Sequence, residues 1–418
     1  MNEIVYDPSE FIRGLQQLLV SDKKRIAFLF GAGTSLSTKN SKSLNVPAIG
    51  KMTEIIEQKL NINKKIKRAI IEIKKELGIE NYTIETLLSN LEIKKNIIGK
   101  GKLNGLNLAD IENFLKQIKK EVRVLVSIHK GIIESGELKN VIHVDFAEWI
   151  GRADRKYPIE IFTTNYDYLF EVGLEEKKVP YYDGFSGSFR PFFNSDSVED
   201  LDFTPQETKL WKIHGSLGWH IENNTVWRKD SDDEDILIYP SSLKYADSRK
   251  QPYASLMDRL SNYLKQPDSV LLTCGYSFGD QHINERILTA LKSNTTAHVF
   301  VLLYDKVGKN KYSLTEDCEL VKLAKENSKL SIYGIKSAVI GCKYGIWKLK
   351  REPDKYDTPN INLYFDEDGP LIDIEEINKE KKGEEYWTGE GELTIPDFKS
   401  FVMFLKSMIV ENISKRKE

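Results

Sequence analysis

Apolar residues recur along the chain at two spacings, and the alternation between them predicts its elements. Residues 10–20, EFIRGLQQLLV preceded by Ser9, carry the spacing of a short amphipathic helix. Ile26–Phe30 is an unbroken apolar run that ends in glycines, as expected for a strand buried on both faces. From Lys51 to about Ile150 the pattern turns helical. Ile55, Ile56, Leu60, Ile66, Ile70, Ile71, Ile73 and Leu77 fall at mixed intervals, many of three or four residues, with Lys and Glu between them. Thr83 is placed to cap a helix running through Leu87 and Leu88. Residues 109–135 and 142–150 add two more helices. Strand runs return at Ile159–Thr164, Leu210–Ile213, Ile236–Tyr239, Val270–Cys274 and His298–Tyr304, with helices at Tyr253–Lys265 and Ile283–Lys292. Residues 183–209, rich in Gly, Ser, Phe, Asp and Pro, read as a long loop, and Arg228–Asp235 as a solvated turn. Past Asn310 the pattern weakens into short strand-like pieces at Leu330–Tyr333, Tyr344–Leu349 and Ile361–Phe365. A charged loop at Glu375–Gly389 follows, then a closing helix at Ile395–Val410 with Phe398, Phe401, Phe404 and Leu405 on one side. Strands alternating with helices predict an α/β fold: a Rossmann-like parallel sheet with helices on both faces. A helical insertion at about 51–150 interrupts it, and a small α+β region occupies 311–418.

Composition narrows the classes. In 418 residues, 40% are hydrophobic, enough for a sizeable core. Lys and Arg number 61 against 63 Asp and Glu, a net charge of −2, so no nucleic-acid partner is expected. Cys274, Cys318 and Cys342 form no CxxC pair, which predicts no zinc or other metal site and no disulfide framework, and suits a reducing cytoplasm. MNEIVYDPSE lacks the basic and apolar regions of a secretory leader. The longest apolar runs are strand-sized, so no membrane span is expected.

Four motifs carry candidate chemistry. Gly31-Ala32-Gly33-Thr34-Ser35 follows the first strand. Its glycines allow a sharp turn and close approach to a diphosphate, and Thr34 and Ser35 add donors. Leu36 stands where a dehydrogenase fingerprint has its third glycine, and Ser37 to Asn45 reads as loop, so that fingerprint fails. An ordinary strand-to-loop turn is the alternative. Phe162-Thr163-Thr164-Asn165-Tyr166-Asp167 ends the next strand, where ligands of open α/β sheets bind, although Asn165 or Asp167 could equally cap the helix at 168–174. Lys212-Ile213-His214-Gly215-Ser216 sets a histidine, the default proton acceptor near neutrality, on a loop; a structural histidine is the alternative. Cys274-Gly275-Tyr276-Ser277-Phe278-Gly279-Asp280 again follows a buried strand. Gly275 and Ser277 suit a ribose or phosphate, and Asp280 suits a helix cap.

In this order, GAGTS, TTNYD, HGS and GYS resemble the silent-information-regulator superfamily, the sirtuins and their bacterial relatives, over about Lys24 to Tyr304. TTNYD, GYSFGDQHINERI and Tyr82–Leu88 look most like sirtuin-like domains of bacterial anti-phage defence proteins, in particular those paired with a HerA-type ATPase. The resemblance implies an NAD-binding catalytic domain at 1–310, with 311–418 serving assembly or partner contact, in a homo-oligomer. It implies NAD hydrolysis to nicotinamide and ADP-ribose that depletes the infected cell. Asn165 would hold the ribose and order water, Asp167 would bond the carboxamide, and His214 would act as base. Gly31, Ala32, Gly33, Thr34, Ser35 and Thr164 would cradle the diphosphate side, and Gly275, Tyr276 and Ser277 the adenosine ribose. The four-cysteine zinc module of deacylating sirtuins is absent, and Val46-Pro47-Ala48-Ile49 has no acid where those enzymes carry one. Both departures count against the alternative of an NAD-dependent protein deacylase. A non-catalytic sensor of NAD or ADP-ribose is the other alternative.

Overall fold

A computed structural model describes residues 4–40, 44–153, 155–223, 225–229, 251–354, 357, 359–367 and 388–409. The expected strand Ile236–Tyr239, most of the turn Arg228–Asp235 and most of the loop Glu375–Gly389 lie outside those residues.

Arg25–Phe30 is the central strand because its side chains serve two cores at once. Ile26, Phe28 and Phe30 enter one apolar layer, and Ala27 and Leu29 the other. On one face the helices Pro8–Val20, Ile142–Arg152 and Phe398–Ser407 cover the sheet, with an aromatic cluster that includes Phe28, Phe30, Phe146, Trp149, Phe170, Phe398 and Phe401. Phe30 and Phe170 stack at 4.9 Å between ring centroids, and Phe28 meets Trp149 edge-on at 5.8 Å. Each such ring removed from water contributes roughly 1.5–3 kcal/mol. On the other face lie Tyr253–Lys265, Gln281–Ser293 and Glu319–Lys325.

The main sheet has ten strands. From one edge they run Val5–Tyr6, Lys343–Trp347, Ser337–Ile340, Leu330–Tyr333, His298–Leu302, Ser269–Cys274, Arg25–Phe30, Glu160–Thr163, Thr208–Lys212 and Tyr181–Tyr182. All neighbours are parallel except Ser337–Ile340, which is antiparallel to both of its partners. The chain moves from Arg25–Phe30 outward to Glu160–Thr163 and Thr208–Lys212. It then crosses back to Ser269–Cys274 on the other side. The strand order therefore reverses between Arg25–Phe30 and Ser269–Cys274, and a crevice opens beyond their carboxyl ends.

Residues beyond 310 do not stand apart: three of their strands extend this sheet, and Phe398–Ser407 packs in its core with Phe398, Phe401, Phe404 and Leu405 all buried. The piece Ile361–Phe365 is a short 3-10 turn, Ile361–Leu363, leading into a small hairpin of Phe365–Glu367 with Gly391–Leu393. The helices Ile49–Leu60, Lys64–Leu77, Ile84–Ile97 and Leu108–Val126 build a separate core of their own, whereas Ile142–Arg152 belongs to the sheet. Thr83 caps Ile84–Ile97 in a reciprocal box with Thr86. Asp7 caps the first helix, and Pro8 occupies its first turn, where a missing N–H costs nothing. One local expectation changes. Within 183–209, the strands Phe185–Ser186 and Phe192–Phe193 join Trp219–Glu222 and Thr225–Arg228 in a small antiparallel sheet, and Ser195–Glu199 is helical. Among the described residues, no helix is long and apolar enough to cross a membrane.

Candidate functional site

Three strand-end loops meet at the reversal point. Gly31 donates its N–H to Cys274 O at 3.2 Å, and Gly33 donates to Gly275 O at 3.0 Å. A Cβ on Gly31 would lie 2.5 Å from Gly275 O, and one on Gly33 would lie 2.6 Å from Gly275 Cα. Gly275 itself has φ of +65°, and a Cβ there would strike Thr34 N at 2.6 Å. The glycines are thus required first by main chain packed on main chain between the two loops. The helix Ala32–Leu36 opens directly at Gly31, where the sequence reads as a turn into loop.

Asn165 and Asp167 fasten the third loop to the first. The Asn165 amide Nδ2 donates toward Gly31 O (3.1 Å), Thr34 Oγ1 (3.0 Å) and Ser35 Oγ (2.8 Å). Ser35 Oγ in turn donates to Asp167 Oδ2 at 2.6 Å. Asp167 Oδ1 accepts the N–H of Leu169, the first residue of the helix Leu169–Glu176, whose N-cap position is Tyr168, so neither Asn165 nor Asp167 is its cap. Asn165 and Asp167 are buried, at 7% and 4% exposure, yet both border the cleft.

That cleft, about 530 Å³, lies between the loops and the helical insertion. Gly31, Ala32, Gly33, Ser35, Thr164, Asn165, Asp167, His214, Gly275, Tyr276 and Ser277 line it, so all but one of the residues singled out in the sequence converge here. The exception is Thr34. It is fully buried and its hydroxyl donates to Gly31 O at 2.9 Å, so it shapes the loop and does not face a ligand. Tyr276 borders the cleft, but its hydroxyl is committed to Asn284 Oδ1 (2.8 Å) and Asp280 O (3.3 Å), and burial pushes that phenol up. A second cleft of about 540 Å³ shares the floor formed by Gly33 and Gly275–Ser277 and reaches Tyr304 and Phe398. Two chambers joined over one glycine floor suit a ligand with two bulky halves and a slim, charged middle.

Electrostatics sharpen this. Among the described residues, the carboxylates and imidazole bordering the first cleft are Glu85, Asp167, His214 and Asp280, and no Lys or Arg lines either cleft. A diphosphate there would rest on main-chain N–H groups and hydroxyls, in the manner of a backbone nest.

Three contributors escaped the sequence reading. Lys212, at the end of the buried strand Thr208–Lys212, donates to Glu171 Oε1 at 2.7 Å and to the carbonyls of Tyr166 and Asp167. It clamps the Asn165 loop from beneath. Burial pushes the Glu171 carboxyl up against the pull of the Lys212 ammonium. An ionisable residue inside a buried run was the available signal. Glu85 enters the cleft from the first turn of Ile84–Ile97, within the stretch Tyr82–Leu88, whose resemblance assigns it no role. Asp280 caps Gln281–Ser293, as expected, by accepting the N–H of His282 at 3.1 Å. Its other oxygen, Oδ2, lies 3.1 Å from His214 Nε2, which no local pattern announces.

Among the described residues, no group of three or more His, Cys, Asp or Glu could hold a metal ion. The fold is an α/β architecture with its cleft at the sheet's reversal point. Residues 159–328 match the family model described as the SIR2-like domain, whose members use NAD. The matched stretch contains Asn165, Asp167, His214 and Gly275–Ser277. The first glycine loop and the helical insertion precede it. No curated protein matches the chain.

Proposed function

We propose that this chain is an NAD glycohydrolase, cleaving NAD with water to nicotinamide and ADP-ribose. One observation carries the reading: Asn165, Asp167 and His214 border a single cleft with both glycine loops, and among the described residues that cleft holds carboxylates but no ammonium or guanidinium. The nicotinamide of NAD is a pyridinium and leaves as a neutral ring, while positive charge passes to the ribose. Acidic groups in an apolar-walled cleft favour both the bound cation and the oxocarbenium-like transition state. Val46, Pro47, Ile49 and Met52 offer the ring an apolar wall.

The reaction balances as NAD⁺ plus water giving nicotinamide, ADP-ribose and a proton. Asn165, locked by its bonds to the glycine loop, holds the ribose side. His214 takes the proton from the attacking water. Orientation supplies much of the acceleration, because the loops are fastened to one another before substrate arrives. The likeness of TTNYD and GYSFGDQHINERI to anti-phage proteins supports a role in NAD depletion on infection. We propose that a homo-oligomer and a HerA-type ATPase partner restrain or release it.

The test is incubation of the purified chain with NAD, with and without an acetylated peptide, followed by chromatography. Nicotinamide and free ADP-ribose without peptide are the expected products. O-acetyl-ADP-ribose formed only with peptide would identify a deacylase, and tight NAD binding without any product a sensor.

A further inference from the structure

We infer that Asp280 is a positioning residue for His214, so that the base of the reaction is a histidine–aspartate pair assembled from two strand-end loops. This rests on the glycohydrolase reading for its chemical purpose, but the pair itself stands on geometry. Asp280 divides its carboxylate. Oδ1 accepts the N–H of His282 at the helix start, and Oδ2 sits 3.1 Å from His214 Nε2. Both side chains are largely enclosed, at 12% exposure for His214 and 7% for Asp280. A cap alone needs one oxygen and does not need enclosure beside an imidazole.

The loop is built to hold this aspartate still. Phe278 is held at φ of +57°, an uncommon conformation for a bulky residue. Asn284 Nδ2 bonds Phe278 O at 2.6 Å, while its Oδ1 receives the Tyr276 hydroxyl, which also reaches Asp280 O. The Asp280 main chain is therefore tied down on both sides of its side chain.

The chemistry follows from the tautomer. A neutral imidazole carries one N–H. With Nε2–H donating to Asp280, the lone pair resides on Nδ1, and Nδ1 is the atom that takes the proton from water as the ribose–nicotinamide bond breaks. The bonding pair leaves with nicotinamide and neutralises its ring nitrogen. The imidazolium so formed is stabilised by the Asp280 carboxylate. The other charged groups bordering the cleft among the described residues, Glu85 and Asp167, are also acidic and favour this charge.

Asp280→Asn and Asp280→Ser in the full chain separate positioning from capping, because Asn and Ser cap helices about as well as Asp. Two readouts are taken: nicotinamide release from pH 5 to 9, and ¹⁵N-histidine NMR with His214→Ala assigning the His214 signals among the six histidines. The expected results are near-wild-type melting, an NAD KM within about threefold, and a plateau kcat lower by about 10–100-fold. The acidic limb of the rate profile and the His214 titration both move to lower pH, and the Nε2–H tautomer loses its dominance. Unchanged tautomer and titration in Asp280→Asn would overturn the pairing, leaving Asp280 as a cap only. Should wild type release no nicotinamide, the glycohydrolase reading fails while the NMR arm still decides the pair.

Discussion

The two ends of Glu160–Thr163 are equally buried and equally polar, yet they do opposite things. At the amino end, Glu160 receives Arg259 Nη2 at 2.7 Å, Arg259 Nε at 3.0 Å and Trp211 Nε1 at 2.7 Å. Arg259 Nη1 donates to the carbonyls of Val198 and Asp200. These groups end on other protein groups. At the carboxyl end, Thr164, Asn165 and Asp167 are also tied to the protein, but they are tied at the edge of an open cleft. A closed network stabilises a fold. A network pinned at the wall of a cleft holds its polar atoms where a bound molecule would meet them.

This contrast is open to direct attack. The largest effect belongs to the open end. Asn165→Ala and His214→Ala are each expected to reduce NAD consumption at least ~10³-fold while cooperative unfolding is retained. Asn165→Ala should also lose about 1–2 kcal/mol, since Gly31 O loses a buried donor. Normal turnover in either variant removes these residues from the mechanism.

At the closed end the expected loss is stability without chemistry. Arg259→Met strands the Glu160 carboxylate and should cost about 3–5 kcal/mol in urea unfolding, with kcat per folded molecule unchanged. A parallel fall in kcat would mean that the two ends are coupled.

His143 lies behind the open end, with neither ring nitrogen hydrogen-bonded among the described residues. Burial pushes its imidazole down to about 4, partly opposed by the Asp167 carboxylate. The folded state therefore refuses a proton that the unfolded chain accepts near pH 6.5. Stability is full above that pH and is lost as the pH falls toward 4. The expected loss between pH 7 and pH 5 is about 2 kcal/mol, and His143→Leu should abolish that part of the acid sensitivity. The smallest effect is Thr83→Ala, about 1 kcal/mol from a lost helix cap in the insertion, read as a lower melting temperature.

Legibility from the sequence followed the same division. The strands buried on both faces, Arg25–Phe30 and Ser269–Cys274, announce themselves as apolar runs ending in glycine. Tyr253–Lys265 is bounded as its periodicity predicts, and the four aromatic and aliphatic positions of the closing helix are buried together. The two-residue strands at Phe185–Ser186 and Phe192–Phe193 are too short to show any period, so Gly and Pro dominate that reading. The helix Ala32–Leu36 escaped because glycine and hydroxyl residues disfavour helix unless other structure holds them, as Gly275 does here. The motif residues of the site were readable as an ordered series. The Lys212 clamp and the His214–Asp280 contact were not, because each joins residues tens of positions apart, and no local spacing encodes such a meeting.

The contact between the two glycine loops has a consequence for how such a site can vary. Its floor is backbone against backbone, and at Gly31, Gly33 and Gly275 there is no room for a side chain that could be exchanged for another. Selectivity between related nucleotides cannot be adjusted there by degrees. The opposite wall, with Met52, Ile84, Glu85, Val122 and Val126, is carried by helices that keep a core of their own. Specificity is left to that wall, and replacing the helices as a block would retune which ligand the cleft accepts while the glycine floor stays as it is.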